Sequence, residues 1–365
     1  MQILDTRVNT FLNSIGRNSK NSRKSYQTAL IHFADFLKTK KQTPDSIIPL
    51  LEKHRFNTYE LLDQFVSYLS QQQGIAAASL KLYMAVIRSY LQYNDIDISN
   101  SKFKRKVKMP KVYSDPEEPL SLSDIRELLE FNNNRRLNTY IVLLASSGLR
   151  AMEAASLRLM DFDFTVSPTR INIRKETTKT KRGRVIYCSN EATKHLQKLV
   201  EIHSTKKPQD LIFAIRDTKD PIAIYVRVLE QFEKLLHIAG KDQRKENSKR
   251  REITLHSFRR TAFSIINEQT NSEYANWFLG HNHSVYWTHK EQERREIYRT
   301  KCIPFLTVYQ DTRSNTLEDA LKEKDRTIKL LTNRIADVEH DQELILHLLQ
   351  DGGQELKRKL EEEDN

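Results

Sequence analysis

His256-Ser257-Phe258-Arg259, followed by Leu279-Gly280-His281 and the run on to Tyr298, is the stretch whose reading decides this chain. A His and an Arg three residues apart share one face of a helix, so both can point at one anion. His281 adds a second imidazole after a turn-forming Gly280, and Tyr286 and Tyr298 add phenols. Upstream, Ser146-Ser147-Gly148-Leu149-Arg150-Ala151-Met152-Glu153 repeats the device, with an Arg just past a Gly. Two arginines, two histidines, a lysine-bearing loop and a tyrosine suit attack on a phosphodiester.

Charge points the same way. The 365 residues carry 60 Lys and Arg against 48 Asp and Glu, a net of +12. Residues 311–365 hold nine basic and fifteen acidic residues, so that tail is at −6 and residues 1–310 stand at +18. A positive body of that size favours a polyanionic partner, because neutralised phosphates release counterions. The two cysteines, Cys188 and Cys302, allow neither a disulfide framework nor a zinc knuckle. The start of the chain lacks the basic and apolar regions of a signal peptide, and no apolar run approaches a membrane span. A soluble, cytoplasmic, DNA-associated protein with no membrane partner is the expectation.

The periodicities give a mainly α fold with a small β-sheet (α+β). Residues 1–100 read as a helical domain, with Leu30, Phe33, Phe36 and Leu37, then Leu61, Leu62, Phe65, Val66 and Leu69, then Leu80, Met84, Ile87 and Leu91 at helical spacing. Residues 101–118 read as a basic, proline-punctuated linker rather than a packed helix. Residues 119–310 form a second domain. It opens on the capping signal Ser121-Leu122-Ser123-Asp124, and Arg170–Ile173 and Arg184–Tyr187 alternate like strands around the turn Lys179-Thr180-Lys181. From residue 311 the chain changes character. Leu317, Leu321, Ile328, Leu331, Ile335, Val338 and Ile345 keep an a/d register with Lys324 and Gln342 as polar exceptions, which predicts a coiled-coil-like tail.

Taken in order, Gly148-Leu149-Arg150 with Glu153, His256-Ser257-Phe258-Arg259, Leu279-Gly280-His281 and a downstream Tyr resemble the tyrosine recombinase (phage integrase) family over roughly residues 20–310. The stretch from Tyr286 to Tyr298 is similar to archaeal integrases in particular. The resemblance implies a helical core-type DNA-binding domain and a catalytic domain that breaks and rejoins DNA through a 3′-phosphotyrosine. It also implies protomers that assemble as a tetramer on double-stranded attachment sites. By match to the motif, Arg150 and Arg259 would neutralise the phosphate, which gains charge at a pentacoordinate phosphorus. Glu153, one turn beyond Arg150, would orient its guanidinium. His256 would assist proton transfer and His281 would donate to a non-bridging oxygen.

The family's general acid is a Lys on the strand-connecting turn. Lys179 takes that role here, with Lys181 as the alternative. For the nucleophile the commoner pattern leaves about nine residues between the Gly-His histidine and the tyrosine. Here Tyr286 lies five after His281, position 290 is a lysine, and Tyr298 lies seventeen after. The archaeal likeness favours Tyr286, and Tyr298 is the alternative. Neither a metal nor a nucleotide cofactor is expected, since His281, His283 and His289 lack the carboxylates or thiolates of a zinc site and the chain has no Gly-rich phosphate loop. Two other readings remain open, a type IB topoisomerase-like enzyme and a noncatalytic dimeric DNA-binding protein that keeps the fold.

Overall fold

The computed structural model describes residues 6–72, 74–112, 118–202, 207–215, 218–245, 250–281, 286 and 288–309, with 324, 327–332 and 334–335 of the tail. The chain forms two compact units, one built on Met1–Glu118 and the other on Pro119–Lys245 and Arg250–Asn365.

The first unit is all helical: α1 (Thr6–Gly16), α2 (Lys20–Lys38), α3 (Pro44–Glu52), α4 (Thr58–Gln71), α5 (Ala77–Tyr93) and α6 (Asn100–Lys106). Side-chain caps hold the starts of α2, α3 and α4. The hydroxyl of Ser19 accepts from Ser22 N, Thr43 and Ser46 bond reciprocally, and Asn57 accepts from the first turn of α4. The apolar stripes meet in one core, where Phe33 packs edge-on to Phe65 at 5.2 Å and Phe36 lies 5.3 Å from the same ring.

α6 departs from the expectation of an unpacked linker. Ser99 caps it by accepting from Lys102 N, and among its lysines Phe103 is buried in the core of the first unit. The Arg88 guanidinium lies 4.2 Å over the Phe103 ring and donates to Asn100 Oδ1. One aromatic anchor therefore holds a helix that its composition argued against, while the lysines stay in water.

The second unit contains α7 (Leu122–Glu130), α8 (Arg135–Ser147), α9 (Ala151–Ala155), β1 (Phe162–Asp163), β2 (Arg170–Ile173), β3 (Arg184–Tyr187), α10 (Asn190–Ile202), α11 (Pro221–Ile238), α12 (Leu255–Gln269), α13 (Ser272–Leu279), α14 (Glu291–Ile297) and α15 (Ile303–Leu306). A π-helical stretch, Tyr298–Cys302, joins the last two. α8 is the central rod, buried at Leu137 and continuously from Thr139 to Ser147. The sheet is an antiparallel meander in the order β1-β2-β3, with Ile171 opposite Ile186 and Ile173 opposite Arg184. The two-residue strand β1 was not visible as an alternating pattern. Helices therefore dominate a small three-stranded sheet, the α+β class expected. No helix among the described residues is long and apolar enough to cross a membrane.

In the tail only part of the a/d register lies within the described residues. Residues 327–332 and 334–335 are helical, with Ile328, Leu331 and Ile335 exposed. Leu317, Leu321, Val338, Gln342 and Ile345 lie outside the described residues.

The packing of α6 is testable. Phe103→Ala should destabilise the first unit by about 3 kcal/mol, the usual cost of emptying a core aromatic site. Urea unfolding of the full chain, followed by circular dichroism, reads it; a change under about 0.5 kcal/mol, the range of an ordinary surface substitution, would mean the ring does not anchor the helix.

Candidate active site

Two glycine turns build the site. α8 ends at Gly148, whose φ of +59° is a left-handed conformation that costs other residues strain. A Cβ there would also meet Ala262 Cβ and Leu279 Cγ at 3.3 Å. The turn delivers Arg150 to the N-terminus of α9. α13 ends at Gly280, φ +74°, where the His281 N–H reaches back to Asn276 O at 2.8 Å and the Gly280 N–H to Trp277 O at 3.0 Å. This paired closure fixes the direction in which His281 leaves the helix.

Arg259 joins the turns. It lies on α12 and is 3% exposed, and its Nη1 donates to Gly148 O while Nη2 donates to Leu279 O at 2.7 Å. The same Nη2 lies 3.3 Å from His281 Nε2. Burial first, and then the neighbouring Arg150, pull the Arg259 pKa down to about 9, which leaves it a cation at neutral pH.

Glu153 is the counter-charge. Its side chain is 1% exposed, and its Oε1 accepts from Arg150 Nη1 at 2.9 Å while Oε2 accepts from the Arg150 backbone N–H at 3.1 Å. From the other side Arg184 grips both oxygens, Nη1 to Oε1 at 3.1 Å and Nη2 to Oε2 at 2.8 Å. Burial alone would raise the Glu153 pKa, but the bonds and charges of Arg184, and then of Arg150, outweigh it and hold the carboxyl below its ordinary value.

Arg184 is the residue that sequence reasoning missed. Its strand register puts it on the same face as Ile171, Ile173 and Ile186, the core face, and its Nε donates to Phe278 O at 3.3 Å. A Cβ on Gly280 would lie 2.9 Å from the Arg184 side chain, so the His281 turn is built against this guanidinium. The available signal was an arginine at an inward position of an alternating strand, which requires a buried partner.

The two histidines share the positive surroundings. His256 sits exposed in the first turn of α12; burial and then Arg259, Arg250 and Arg150 lower its pKa. His281 is lowered by burial and then by Arg259, Arg150, Arg184 and His256. Both are therefore neutral at pH 7 with the site empty. Three guanidiniums against one carboxylate leave net positive charge, and the Arg150 side chain is 28% exposed, so the excess can face a ligand. Such a pocket suits an anion with several oxygens. Among the described residues no three of His, Cys, Asp and Glu gather closely enough to hold a metal ion.

The remaining candidates lie elsewhere. Lys179 and Lys181 are both exposed on the β2–β3 connection, and no described hydrogen bond or ion pair ties either to the arginines. Tyr286 is half-buried, edge-on to Tyr274 at 5.3 Å and 4.5 Å from the His289 ring, and borders a groove of about 730 Å³. Its hydroxyl accepts from Asn271 Nδ2 at 3.2 Å. Asn271 caps the N-terminus of α13 while His281 follows its C-terminus, roughly 12 Å away along an eight-residue helix. His283 and Trp287 lie outside the described residues.

Tyr298, the alternative nucleophile, is corrected to a core residue. It is fully buried, stacks on Phe278 at 5.0 Å and donates to Ser146 O at 2.9 Å. Burial pushes its phenol well above the ordinary value. The π-helical turn that carries it faces it into the core.

Residues 118–291, just under half of the chain, match the phage integrase family model. The chain is 28% identical over 207 residues to tyrosine recombinase XerD of Rickettsia bellii, covering 53% of this chain and 64% of that protein. Tyrosine recombinase XerC of Leptospira interrogans is 23% identical over 270 residues, covering 68% and 81%. The chain thus spans just under two thirds of the length of the Rickettsia relative. Among solved structures, a lambda integrase dimer bound to a COC′ core site matches with TM-score 0.56 at 14% identity, covering 79% of this chain and 76% of the other. XerH bound to difH matches with TM-score 0.52 at 18% identity, covering 79% and 82%. At these identities the likeness is one of fold.

Glu153→Gln should cost about 3 kcal/mol, because it leaves buried Arg184 without its charge partner. The pH dependence has a definite sign. The folded pKa of Glu153 is depressed, so its contribution is complete above the unfolded value of about 4.3 and is lost as pH falls through the folded value. Denaturation midpoints between pH 7 and pH 3 should fall more steeply for the wild type than for Glu153→Gln; parallel curves would place the stabilising charge elsewhere.

Proposed function

We propose that this protein is a site-specific DNA recombinase that cuts and rejoins DNA strands through a 3′-phosphotyrosyl intermediate on Tyr286. The observation that carries the reading is the joining of Arg150, Arg259 and His281 by two glycine turns around one buried carboxylate. Arg150 and Arg259 would hold the non-bridging oxygens of the scissile phosphate and stabilise the charge of the pentacoordinate state. His281 would bond a non-bridging oxygen, and His256 would assist proton transfer.

In the chemical step the Tyr286 oxygen attacks phosphorus and gives up its proton to His256, whose lowered pKa leaves it able to accept. The bond from phosphorus to the 5′-oxygen breaks, and that oxygen takes a proton from Lys179, or from Lys181 on the same turn. The 5′-hydroxyl of a partner strand then reverses the step and releases the tyrosine. Bond energy is conserved in the phosphotyrosine, so no nucleotide cofactor is consumed. To attack, Tyr286 must leave its hydrogen bond with Asn271 and travel toward the opposite end of α13.

The partners in this reading are double-stranded attachment sites and further copies of the chain, acting on DNA in the cytoplasm. The positive body supports DNA binding, and the fold matches a lambda integrase tetramer bound to a Holliday junction with TM-score 0.56. The exposed positions Ile328, Leu331 and Ile335, at heptad spacing, support a role for the tail in protomer association.

Nicked half-sites from candidate attachment sequences test the chemistry. Wild type should form an SDS-resistant protein–DNA adduct, Tyr286→Phe should form none, and Tyr298→Phe should keep it. Arg150→Ala and Arg259→Ala should each slow adduct formation by about 10²- to 10³-fold, as for a lost oxyanion donor. An adduct that survives Tyr286→Phe would remove the assigned nucleophile. For the tail, deletion of residues 315–365 should lower the oligomeric mass seen by light scattering, and an unchanged mass would remove its role in assembly.

A further inference from the structure

Asn276 lies one and a half turns before His281, on the half-buried side of α13, and holds it twice. Its backbone carbonyl accepts the His281 N–H at 2.8 Å, and its side-chain Oδ1 lies 2.9 Å from His281 Nδ1. The other ring nitrogen, Nε2, lies 3.3 Å from Arg259 Nη2. These contacts fix one another. A guanidinium has only donors, so Nε2 must present its lone pair to Arg259. A neutral imidazole with an unprotonated Nε2 carries its hydrogen on Nδ1. That hydrogen needs an acceptor, so Asn276 must turn its carbonyl, not its NH₂, toward the ring.

We infer that Asn276 is a positioning residue for the anion site: its side-chain carbonyl holds His281 in the Nδ1–H form and aims Nε2 at the place where Arg259 meets the ligand. The arrangement has a consequence for proton transfer. In the empty site Nε2 is an acceptor and cannot donate to a phosphate oxygen. An anion that engages Arg259 offsets the cations facing the ring, which are Arg259 on α12, Arg150 at the start of α9 and Arg184 on β3; the remaining titratable neighbour is His256 on α12. His281 then takes a proton from solvent onto Nε2 while Nδ1–H stays on Asn276, so the ring becomes a donor without rotating. Asparagine suits this place because it accepts from the ring and adds no charge. An aspartate would accept equally well but would put a negative charge beside a phosphate.

The inference rests on the anion-site reading given above, and its test separates the two. Histidine-labelled full-length protein is studied by long-range ¹H–¹⁵N correlation, with His281 assigned by the signal lost in His281→Gln. At neutral pH the wild type should show a protonated Nδ1 and an unprotonated Nε2. Asn276→Leu, close in shape but without an acceptor, should shift the ring toward the Nε2–H form. Asn276→Asp should keep the Nδ1–H form and raise the His281 titration midpoint by about one pH unit or more. Inorganic phosphate should raise the midpoint in wild type. Asn276→Leu should form the DNA adduct roughly tenfold more slowly, the scale on which outer partners of a functional imidazole act, with Asn276→Asp separating a charge effect from a lost bond.

An Asn276→Leu spectrum with the wild-type tautomer and midpoint would overturn the inference, as would a wild type with protonated Nε2 at neutral pH. A folding defect in Asn276→Leu leaves Asn276→Asp to decide, since an unshifted midpoint there refutes the contact. If the tautomers move as expected but no variant and no wild type ever forms an adduct, the positioning role stands and the recombinase reading falls.

Discussion

The second unit depends on one buried carboxylate. Glu153 is enclosed between Arg184 from the sheet and Arg150 from the start of its own helix, and it accepts from both guanidiniums and from the Arg150 backbone N–H. A carboxylate removed from water is costly unless its oxygens are fully bonded, and here all the bonds converge from fixed elements. Arg184 also bonds Phe278 O in the last turn of α13. The position of strand β3, the start of α9 and the end of α13 are thereby tied to one charge.

Arg259 completes the frame from the opposite side by bonding the carbonyls at both glycine turns. Two of its five N–H groups are left without a described partner, so it can support the backbone and still meet a ligand. This double use explains why the turns need glycine. At Gly148 and Gly280 the chain must adopt positive φ and also let a neighbouring side chain approach within 3.3 Å and 2.9 Å of where a Cβ would stand. Arg259 is thus held by packing and backbone bonds with the site empty, the preorganisation that electrostatic stabilisation of an anion requires.

Much of this was legible in the chain. The helical stripes gave the first unit, and the ordered Gly-Leu-Arg, His-x-x-Arg and Gly-His elements pointed to residues that the fold does bring together at Arg150, Glu153, Arg259 and His281. What escaped depended on long-range pairing. Arg184 was read only as part of an alternating strand, because alternation alone does not say which face is inward. α6 looked like a linker, because six basic residues between 102 and 111 outweighed a single Phe103 in any compositional reading. Asn276 carried no signal, since a helix asparagine acquires a role only when the turn after it brings His281 back within reach.

The two tyrosines show the same limit in a sharper form. Counting residues from His281 could not choose between Tyr286 and Tyr298, because distance along the chain is not distance in space where helix α14 intervenes. Tyr298 is buried: its ring stacks on Phe278, and its hydroxyl donates to Ser146 O inside the core. Tyr286 sits instead at the groove edge with its hydroxyl on a half-exposed amide, a contact worth about 1 kcal/mol and therefore easily exchanged. Arg259 is held by two backbone carbonyls, whereas Tyr286 packs on Tyr274 and His289 at the far end of α13. An anion pocket held in advance by fixed backbone bonds, with Tyr286 set apart from it at the other end of α13, is the arrangement from which the proposed chemistry would start.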